Sequence, residues 1–195
     1  MGEMRLYDIT GNRLYLNAEE RATFLDVARK KSPIIRTFAE TLHFTGCRIS
    51  EALEITPKRI ELEQGQIVLR SLKKRRGDVF RAVPVPPAFL DTLNTAHSIR
   101  EAQKQRKKSD ARLWPWHRQH AWRVITSIMI EAGISEGVHR TPKGLRHGFG
   151  INATVNGVPL NMLQKWMGHA HISTTAIYAD AIGQEEQDIA ARMWK

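Results

Sequence analysis

The chain has 195 residues, 42% of them hydrophobic, which suits one globular domain with a sizeable core and excludes a wholly disordered chain. Lysine plus arginine number 30 and aspartate plus glutamate 20, so the net charge of +10 favours a polyanionic partner. The single cysteine, Cys47, excludes an internal disulfide and a cysteine-type zinc cluster. No stretch approaches the roughly 18 apolar residues of a membrane span, and the N-terminus has no secretory pattern. We therefore expect a cytoplasmic protein that has no membrane partner.

The first half of the chain is predicted to contain three helices followed by a β-hairpin. Asn17 with Glu20 three residues later is a capping-box pattern, which starts the first helix. The hairpin strands are rich in β-branched and aromatic residues, and a basic turn that contains glycine joins them. The predicted helices cover 18–31, 34–44 and 49–55, and the predicted strands cover 66–72 and 79–85.

The second half of the chain is predicted to be helical. Thr141 and Pro142 are typical of a helix start, with threonine as the cap and proline in the first turn. The predicted helices cover 87–105, 119–133, 142–155 and 160–167, and a further short helix holds Tyr178. The tail over 183–195 is amphipathic. The fold class is therefore α+β, mainly helical, with a small antiparallel β-hairpin sheet.

Positive charge is clustered in two places. The letters KKRR occupy 73–76, where a hairpin tip would present them, and a second basic block covers 100–112. Clustered basic residues are the electrostatic pattern expected of a nucleic-acid-binding protein. The alternatives are solvated turn charge for the first block and a solvated helix face for the second. The composition thus favours a nucleic acid as a partner.

Arg48 lies in the segment TGCRISEAL, directly after a Thr-Gly break. A residue at such a helix start can meet a phosphate with its side chain while backbone N–H groups do the same. The alternative is an arginine at the surface that pairs with Glu51 or Glu54.

The segment KGLRHGFG places Lys143, Arg146 and His147 at helical spacing on one face. Like charges on one face repel each other unless an anion lies between them. An exposed basic face is the alternative.

The segment GHAHISTTAIYAD, over 168–180, holds two histidines and Tyr178. A histidine with a structural role is the commoner explanation for such a residue. A metal site on His117 and His120, or on His169 and His171, lacks further ligands of suitable spacing, so we expect no metal.

These motifs in this order resemble the tyrosine recombinases, also called the phage integrase family. TGCRISEAL resembles the first-arginine box of that family, GLRHGFG its second box, and WMGHAHISTTAIYAD its third box and nucleophile segment. The resemblance runs from about residue 18 to the end. It implies that 18–195 form the catalytic domain and that 1–17 form an N-terminal extension, without the N-terminal core-binding domain that family members usually carry.

The resemblance implies a role for each matching residue. Arg48 and Arg146 would grip the scissile phosphate, His169 would complete the phosphate pocket, and Tyr178 would be the nucleophile. A hairpin lysine would be the general acid for the leaving 5′ oxygen, with Lys73 preferred over Lys74. Glu51 would orient the site. The expected catalytic set is Arg48, Lys73, Lys143, Arg146, His169 and Tyr178, and the expected DNA contacts are Lys74, Arg75, Arg76 and His147.

One position departs from the family pattern. The second box usually opens with histidine, whereas Lys143 holds that place here. A lysine is normally a charged donor, so we expect Lys143 to contact a phosphate or hydroxyl rather than to accept the tyrosine proton.

The resemblance implies a site-specific DNA recombinase or integrase, encoded by a bacterium, phage or plasmid. It would cleave and rejoin DNA through a 3′-phosphotyrosine intermediate, with no cofactor. Four protomers would act together on DNA, with an accessory DNA-binding protein as a further partner. The alternatives are a catalytically silent DNA-binding relative and an enzyme like the type IB topoisomerases.

Overall fold

The computed structural model describes residues 5–71, 79–179, 187 and 190–194. In these ranges the chain is mainly helical with one small antiparallel sheet, which confirms the predicted fold class. The elements are α1 (Ala18–Arg29), α2 (Pro33–Thr45), α3 (Ile49–Ala52), β1 (Ile60–Glu61), β2 (Gln66–Ser71), β3 (Val79–Pro84), α4 (Pro87–His97), α5 (Ile99–Gln103), α6 (Arg106–Ser109), α7 (Arg118–Glu131), α8 (Pro142–Val155), α9 (Leu160–Met167) and α10 (Ser173–Ala176). Short 3₁₀ helices cover Pro57–Arg59 and Ala191–Trp194.

Two helix starts use the caps that the sequence predicts. Asn17 Oδ1 accepts a hydrogen bond from the Glu20 backbone N–H at 2.8 Å, and Glu20 Oε2 accepts one from the Asn17 backbone N–H at 3.0 Å. Thr141 Oγ1 accepts a hydrogen bond from the Gly144 backbone N–H at 3.1 Å. Each cap satisfies an N–H group that the first helical turn leaves without a partner, so α1 and α8 begin where predicted.

The predicted hairpin is confirmed and gains a third strand. The order is β1-β2-β3, all antiparallel, with Ile67 opposite Val83 and Leu69 opposite Arg81. Strand β1 is only two residues long, which is too short for an alternating pattern to be recognised in the sequence. The hairpin tip over 72–78, which includes Lys73, Lys74, Arg75 and Arg76, lies outside the described residues.

The single helix predicted over 87–105 is wrong, because the chain breaks at Ser98. Ser98 adopts a left-handed backbone conformation with φ of 50°, which separates α4 from α5. The Arg100 backbone N–H bonds to Asn94 Oδ1 at 3.0 Å, and Ile99 is fully buried. The break therefore lets the chain bury Ile99 while a side chain, rather than a helical carbonyl, accepts the freed N–H.

The core has two clusters. The larger cluster packs the N-terminal helices, the sheet and α7 around residues such as Phe24, Phe38 and Trp114. The smaller cluster lies between α8, α9 and the N-terminal segment, and it includes Leu163, Met167 and Tyr178. No helix in the described part of the chain is both long enough and apolar enough to span a bilayer.

Candidate active site

Arg146 is the buried cation at the centre of the site. Helix α8 carries it inward, with 7% of its surface exposed. Its Nη1 donates to the Gly46 carbonyl at 2.7 Å, and its Nη2 donates to the Met167 carbonyl at 2.7 Å and to His169 Nε2 at 3.0 Å. These bonds fix the plane of the guanidinium. Burial and the nearby Arg48 charge lower the pKa of Arg146 to about 10, so it remains a cation at neutral pH.

Arg48 is the more accessible cation. It caps the start of α3, and its side chain is 27% exposed. Its Nη1 donates to Glu51 Oε1 at 2.9 Å, and its backbone N–H donates to Glu51 Oε2 at 2.9 Å. The ion pair with Glu51 that the sequence left open is therefore present. It leaves part of the guanidinium accessible to a ligand.

His169 is held as one tautomer. An arginine can only donate, so the 3.0 Å contact from Arg146 requires a lone pair on His169 Nε2. The proton then lies on Nδ1, which is 2.9 Å from Thr175 Oγ1. Burial, followed by the charges of Arg146 and Arg48, lowers the pKa of His169 to about 3, which keeps the ring neutral.

Tyr178 follows α10 rather than lying within it, because the helix ends at Ala176. The tyrosine has no exposed surface. Its ring stacks on the His169 ring at a centroid distance of 6.3 Å, and its hydroxyl lies 3.1 Å from His147 Nδ1. Burial raises the pKa of Tyr178, and the charges of Arg146 and Arg48 oppose that rise. The hydroxyl is therefore a poor nucleophile in this conformation.

His147 and Lys143 lie one turn apart on α8 but differ in burial. His147 is buried beside Tyr178, and burial together with the charges of Lys143 and Arg146 lowers its pKa to about 3. Lys143 is exposed. The structure thus brings together five of the predicted residues: Arg48, Arg146, His147, His169 and Tyr178. It leaves Lys143 exposed to solvent. It buries His147 against the tyrosine, whereas a DNA contact at the surface was expected for this residue.

Sequence reasoning missed Arg81, which is buried within hydrogen-bonding distance of Glu51. Strand alternation in VFRAVPV puts Arg81 on the same face as Val83, which lies in the core. A charged residue at a core-facing strand position is the signal that would have found it.

No group of three or more His, Cys, Asp or Glu side chains suited to a metal ion occurs in residues 5–71 and 79–179 or in the described tail positions. The chemistry that the geometry supports is the binding of one phosphate beside a tyrosine by two guanidinium groups.

Comparison with known proteins assigns the family. A sequence model of the phage integrase family matches residues 14–185.

The chain belongs to the phage integrase family.

Among curated members of this family, tyrosine recombinase XerD of Staphylococcus saprophyticus is 32% identical over 150 residues. That alignment covers 73% of this chain and 48% of XerD, so the chain spans about half the length of the curated relatives it matches.

Solved structures of family members share the fold. The crystal structure of XerA recombinase matches with a TM-score of 0.75 at 23% identity, over 93% of this chain and 65% of that chain. The catalytic domain of bacteriophage HP1 integrase matches with a TM-score of 0.65 at 21% identity, over 90% of this chain and 93% of that domain. At these identities the matches establish the integrase catalytic fold.

Proposed function

We propose that this chain is the catalytic part of a site-specific DNA recombinase that cleaves and rejoins DNA through a 3′-phosphotyrosine intermediate. The observation that carries the proposal is the convergence of Arg48, Arg146 and His169 on the surroundings of Tyr178. Residues 18–195 would carry the chemistry, with 1–17 as an extension. Within this extension the Leu16 backbone N–H donates to the Gly144 carbonyl of α8 at 3.1 Å.

In the proposed reaction, Tyr178 Oη gives up its proton to water and attacks the scissile phosphorus, and the bond from phosphorus to the 5′ oxygen breaks. Arg48 and Arg146 neutralise the charge that develops on the phosphate oxygens. The 5′ oxygen takes a proton from the hairpin lysine, Lys73 or Lys74. The phosphotyrosine bond conserves the energy of the broken bond, so reversal of the steps rejoins DNA without a nucleotide cofactor.

The proposed reaction requires Tyr178 to leave its burial site. A phosphate on DNA cannot reach a hydroxyl that has no exposed surface. DNA binding would therefore come first, and the segment that carries Tyr178 would shift towards the phosphate that Arg48 and Arg146 hold. Movement away from the apolar cluster also removes the burial that raises the pKa of Tyr178, so the same cations would favour the phenolate.

The proposed assembly is a tetramer on double-stranded DNA, with an accessory DNA-binding protein as a further partner. Met193 is 79% exposed and Trp194 is 74% exposed in the C-terminal 3₁₀ helix. Exposed large apolar side chains at a chain end suit docking on a neighbouring protomer, which supports this part of the proposal.

Covalent trapping tests the proposal. Wild type, Tyr178→Phe, Tyr7→Phe and Tyr15→Phe are mixed with nicked duplexes tiled across DNA that flanks the gene of this protein, then run on denaturing and native gels. The other two tyrosines of the chain are Tyr7 and Tyr15, whose hydroxyls contact each other at 3.2 Å. They are matched controls, because each variant also removes one hydroxyl that contacts another side chain. We expect a denaturant-resistant adduct with every protein except Tyr178→Phe, which keeps DNA binding.

Two outcomes would contradict the proposal. An adduct that persists in Tyr178→Phe removes Tyr178 as the nucleophile. DNA binding without any adduct in wild type identifies a catalytically silent DNA-binding relative.

A further inference from the structure

Arg81 is a charged residue on the face of strand β3 that points into the core. Its side chain is 4% exposed, and its strand neighbour on the same face, Val83, belongs to the main hydrophobic cluster. Removal of an arginine from water costs several kcal/mol unless hydrogen bonds and a counter-charge compensate. The partners of Arg81 therefore indicate why the chain keeps it there.

The first partner of Arg81 is the carboxylate of Glu51. Arg81 Nη2 donates to Glu51 Oε2 at 2.7 Å, and Nη1 donates to Glu51 Oε1 at 3.3 Å, so the guanidinium grips both oxygens. Nη1 also donates to Ser71 Oγ at 3.0 Å, at the end of β2 where the hairpin tip begins. Paired contacts of this kind define the orientation of both groups.

Glu51 transmits this constraint to Arg48. The same two carboxylate oxygens accept hydrogen bonds from Arg48, one from Nη1 and one from the backbone N–H, both at 2.9 Å. Burial opposes ionisation of Glu51, yet the bond and charge of Arg81, joined by those of Arg48, lower the pKa of Glu51 below its ordinary value. The carboxylate thus stays ionised between the two arginines.

A second contact leads from Arg81 to the turn that carries His169. Arg81 Nε donates to the Trp166 carbonyl at 2.7 Å, and Arg146 Nη2 donates to the next carbonyl, that of Met167, at 2.7 Å. These are carbonyls at the C-terminal end of α9, where helical partners run out. Two buried guanidinium groups therefore hold the helix end that delivers His169.

Gly168 makes the close approach of Arg81 possible. Its φ is +66°, and a Cβ at this position would lie 2.9 Å from Arg81 Cζ. Glycine therefore serves both the left-handed turn and the contact with the guanidinium.

We propose that Arg81 is a positioning residue of the cleavage site, which holds Arg48 through Glu51 and holds His169 through the end of α9. The proposal rests on the proposed function, since it concerns the geometry of the same phosphate site. Arg81 would itself touch neither DNA nor the reacting atoms.

The experiment measures single-turnover cleavage and DNA affinity separately. The substrate is a nicked duplex from which the short cleaved strand diffuses away, so the covalent adduct accumulates. For Arg81→Met we expect the dissociation constant for DNA to stay within about 3-fold of wild type. We expect the cleavage rate to fall by at least about 100-fold, because displacement of catalytic groups by about 1 Å costs that much. The matched control is Arg29→Met, which removes an arginine 3.7 Å from the buried Glu40, and its cleavage rate should not change.

A double mutant separates positioning from a loss of stability. Lower stability alone would reduce the folded fraction at least as much in the Arg48→Ala background as in wild type, whereas a residue that acts through Arg48 loses that part of its effect once Arg48 is absent. We expect Arg81→Met to slow cleavage at least about 10-fold less in the Arg48→Ala background than in wild type. Equal factors in the two backgrounds would overturn the proposed link from Arg81 through Glu51 to Arg48.

Arg81→Lys covers the case in which Arg81→Met does not fold. Lysine keeps the counter-charge for Glu51 but cannot also reach the Trp166 carbonyl with a planar fork. We expect circular dichroism like that of wild type and a cleavage rate at least about 10-fold lower. Wild-type cleavage in this variant would contradict the role of Arg81, whereas no adduct with wild type on any duplex would contradict the proposed function and the role of Arg81 with it.

Discussion

The two buried histidines of the site are neutral because of where they lie. His147 has 1% of its surface exposed and His169 has 7%. A charged imidazole there would lose hydration and face Arg146, and for each ring burial is the largest cause of the lowered pKa. His169 can then accept from Arg146, and His147 can contact the hydroxyl of Tyr178. The two neutral histidines thus help to hold Tyr178 in its buried position, His147 at the hydroxyl and His169 against the ring.

The lowered pKa of His147 predicts a pH-dependent stability. The folded-state pKa of about 3 lies below the usual value of 6.5, so between these pH values the unfolded chain binds a proton that the folded chain does not. The free energy of unfolding therefore falls as the pH falls through this window, by about 1 kcal/mol per pH unit for this residue. Urea titrations at pH 7.5, 6 and 5 should show this decline in wild type and a shallower decline in His147→Phe. Equal slopes for the two proteins would contradict the burial argument.

Helix α8 combines chemistry with close packing. It carries Arg146 and His147 inward. The glycines that follow these two residues in the helix lie where a larger side chain would not fit. A Cβ at Gly150 would lie 2.6 Å from two atoms of the Tyr178 ring. The segment GLRHGFG therefore lets Arg146 and the tyrosine lie close together, because it has no side chain where the ring packs.

Gly150→Ala is expected to displace Tyr178 from its burial site. The added methyl group overlaps the ring, and overpacking of this kind typically costs about 1–3 kcal/mol. Acetylation by N-acetylimidazole, read by mass spectrometry, measures tyrosine exposure. We expect a protected Tyr178 in wild type and a labelled one in the variant, with Tyr7 as the internal reference. Equal protection in the two proteins would show that the ring keeps its place.

Elements were predictable where short-range chemistry decides them. The capping box of Asn17 and the threonine cap of α8 depend on residues three positions apart, so both were read from the sequence. The break at Ser98 could not be predicted in this way. It depends on the burial of Ile99 and on a contact between His97 and Thr37, which lie 60 residues apart. Helical periodicity runs through 87–105 although tertiary packing interrupts the helix.

At the scale of the whole molecule, the reactivity of the single cysteine reports whether the core is closed. Cys47 is its single cysteine, it lies in the main hydrophobic cluster, and 2% of its surface is exposed. Burial, with the nearby Glu51 carboxylate, raises the pKa of Cys47 to about 11. The thiol is therefore both inaccessible and protonated while the core is closed, and it adjoins Arg48 in the site.

We expect Cys47 to react only when the domain opens. A thiol-specific disulfide reagent at pH 8 should label native protein at least about 1000-fold more slowly than protein in denaturing urea, because folded domains open in only a small fraction of molecules. Absorbance of the released thiolate gives both rates. Immediate stoichiometric labelling of native protein would contradict the burial of Cys47.

The sequence by itself determined the order of the main elements, the caps of α1 and α8, the family and the candidate residues Arg48, Arg146, His169 and Tyr178. Those features depend on periodicity, on caps within three residues and on short motifs, all of which are local. Only the tertiary structure decided that Tyr178 is buried at rest, that His147 contacts it and that Arg81 grips Glu51. Glu51 and Arg81 are 30 residues apart and His147 and Tyr178 are 31 apart, so folding alone brings each pair together and removes it from water.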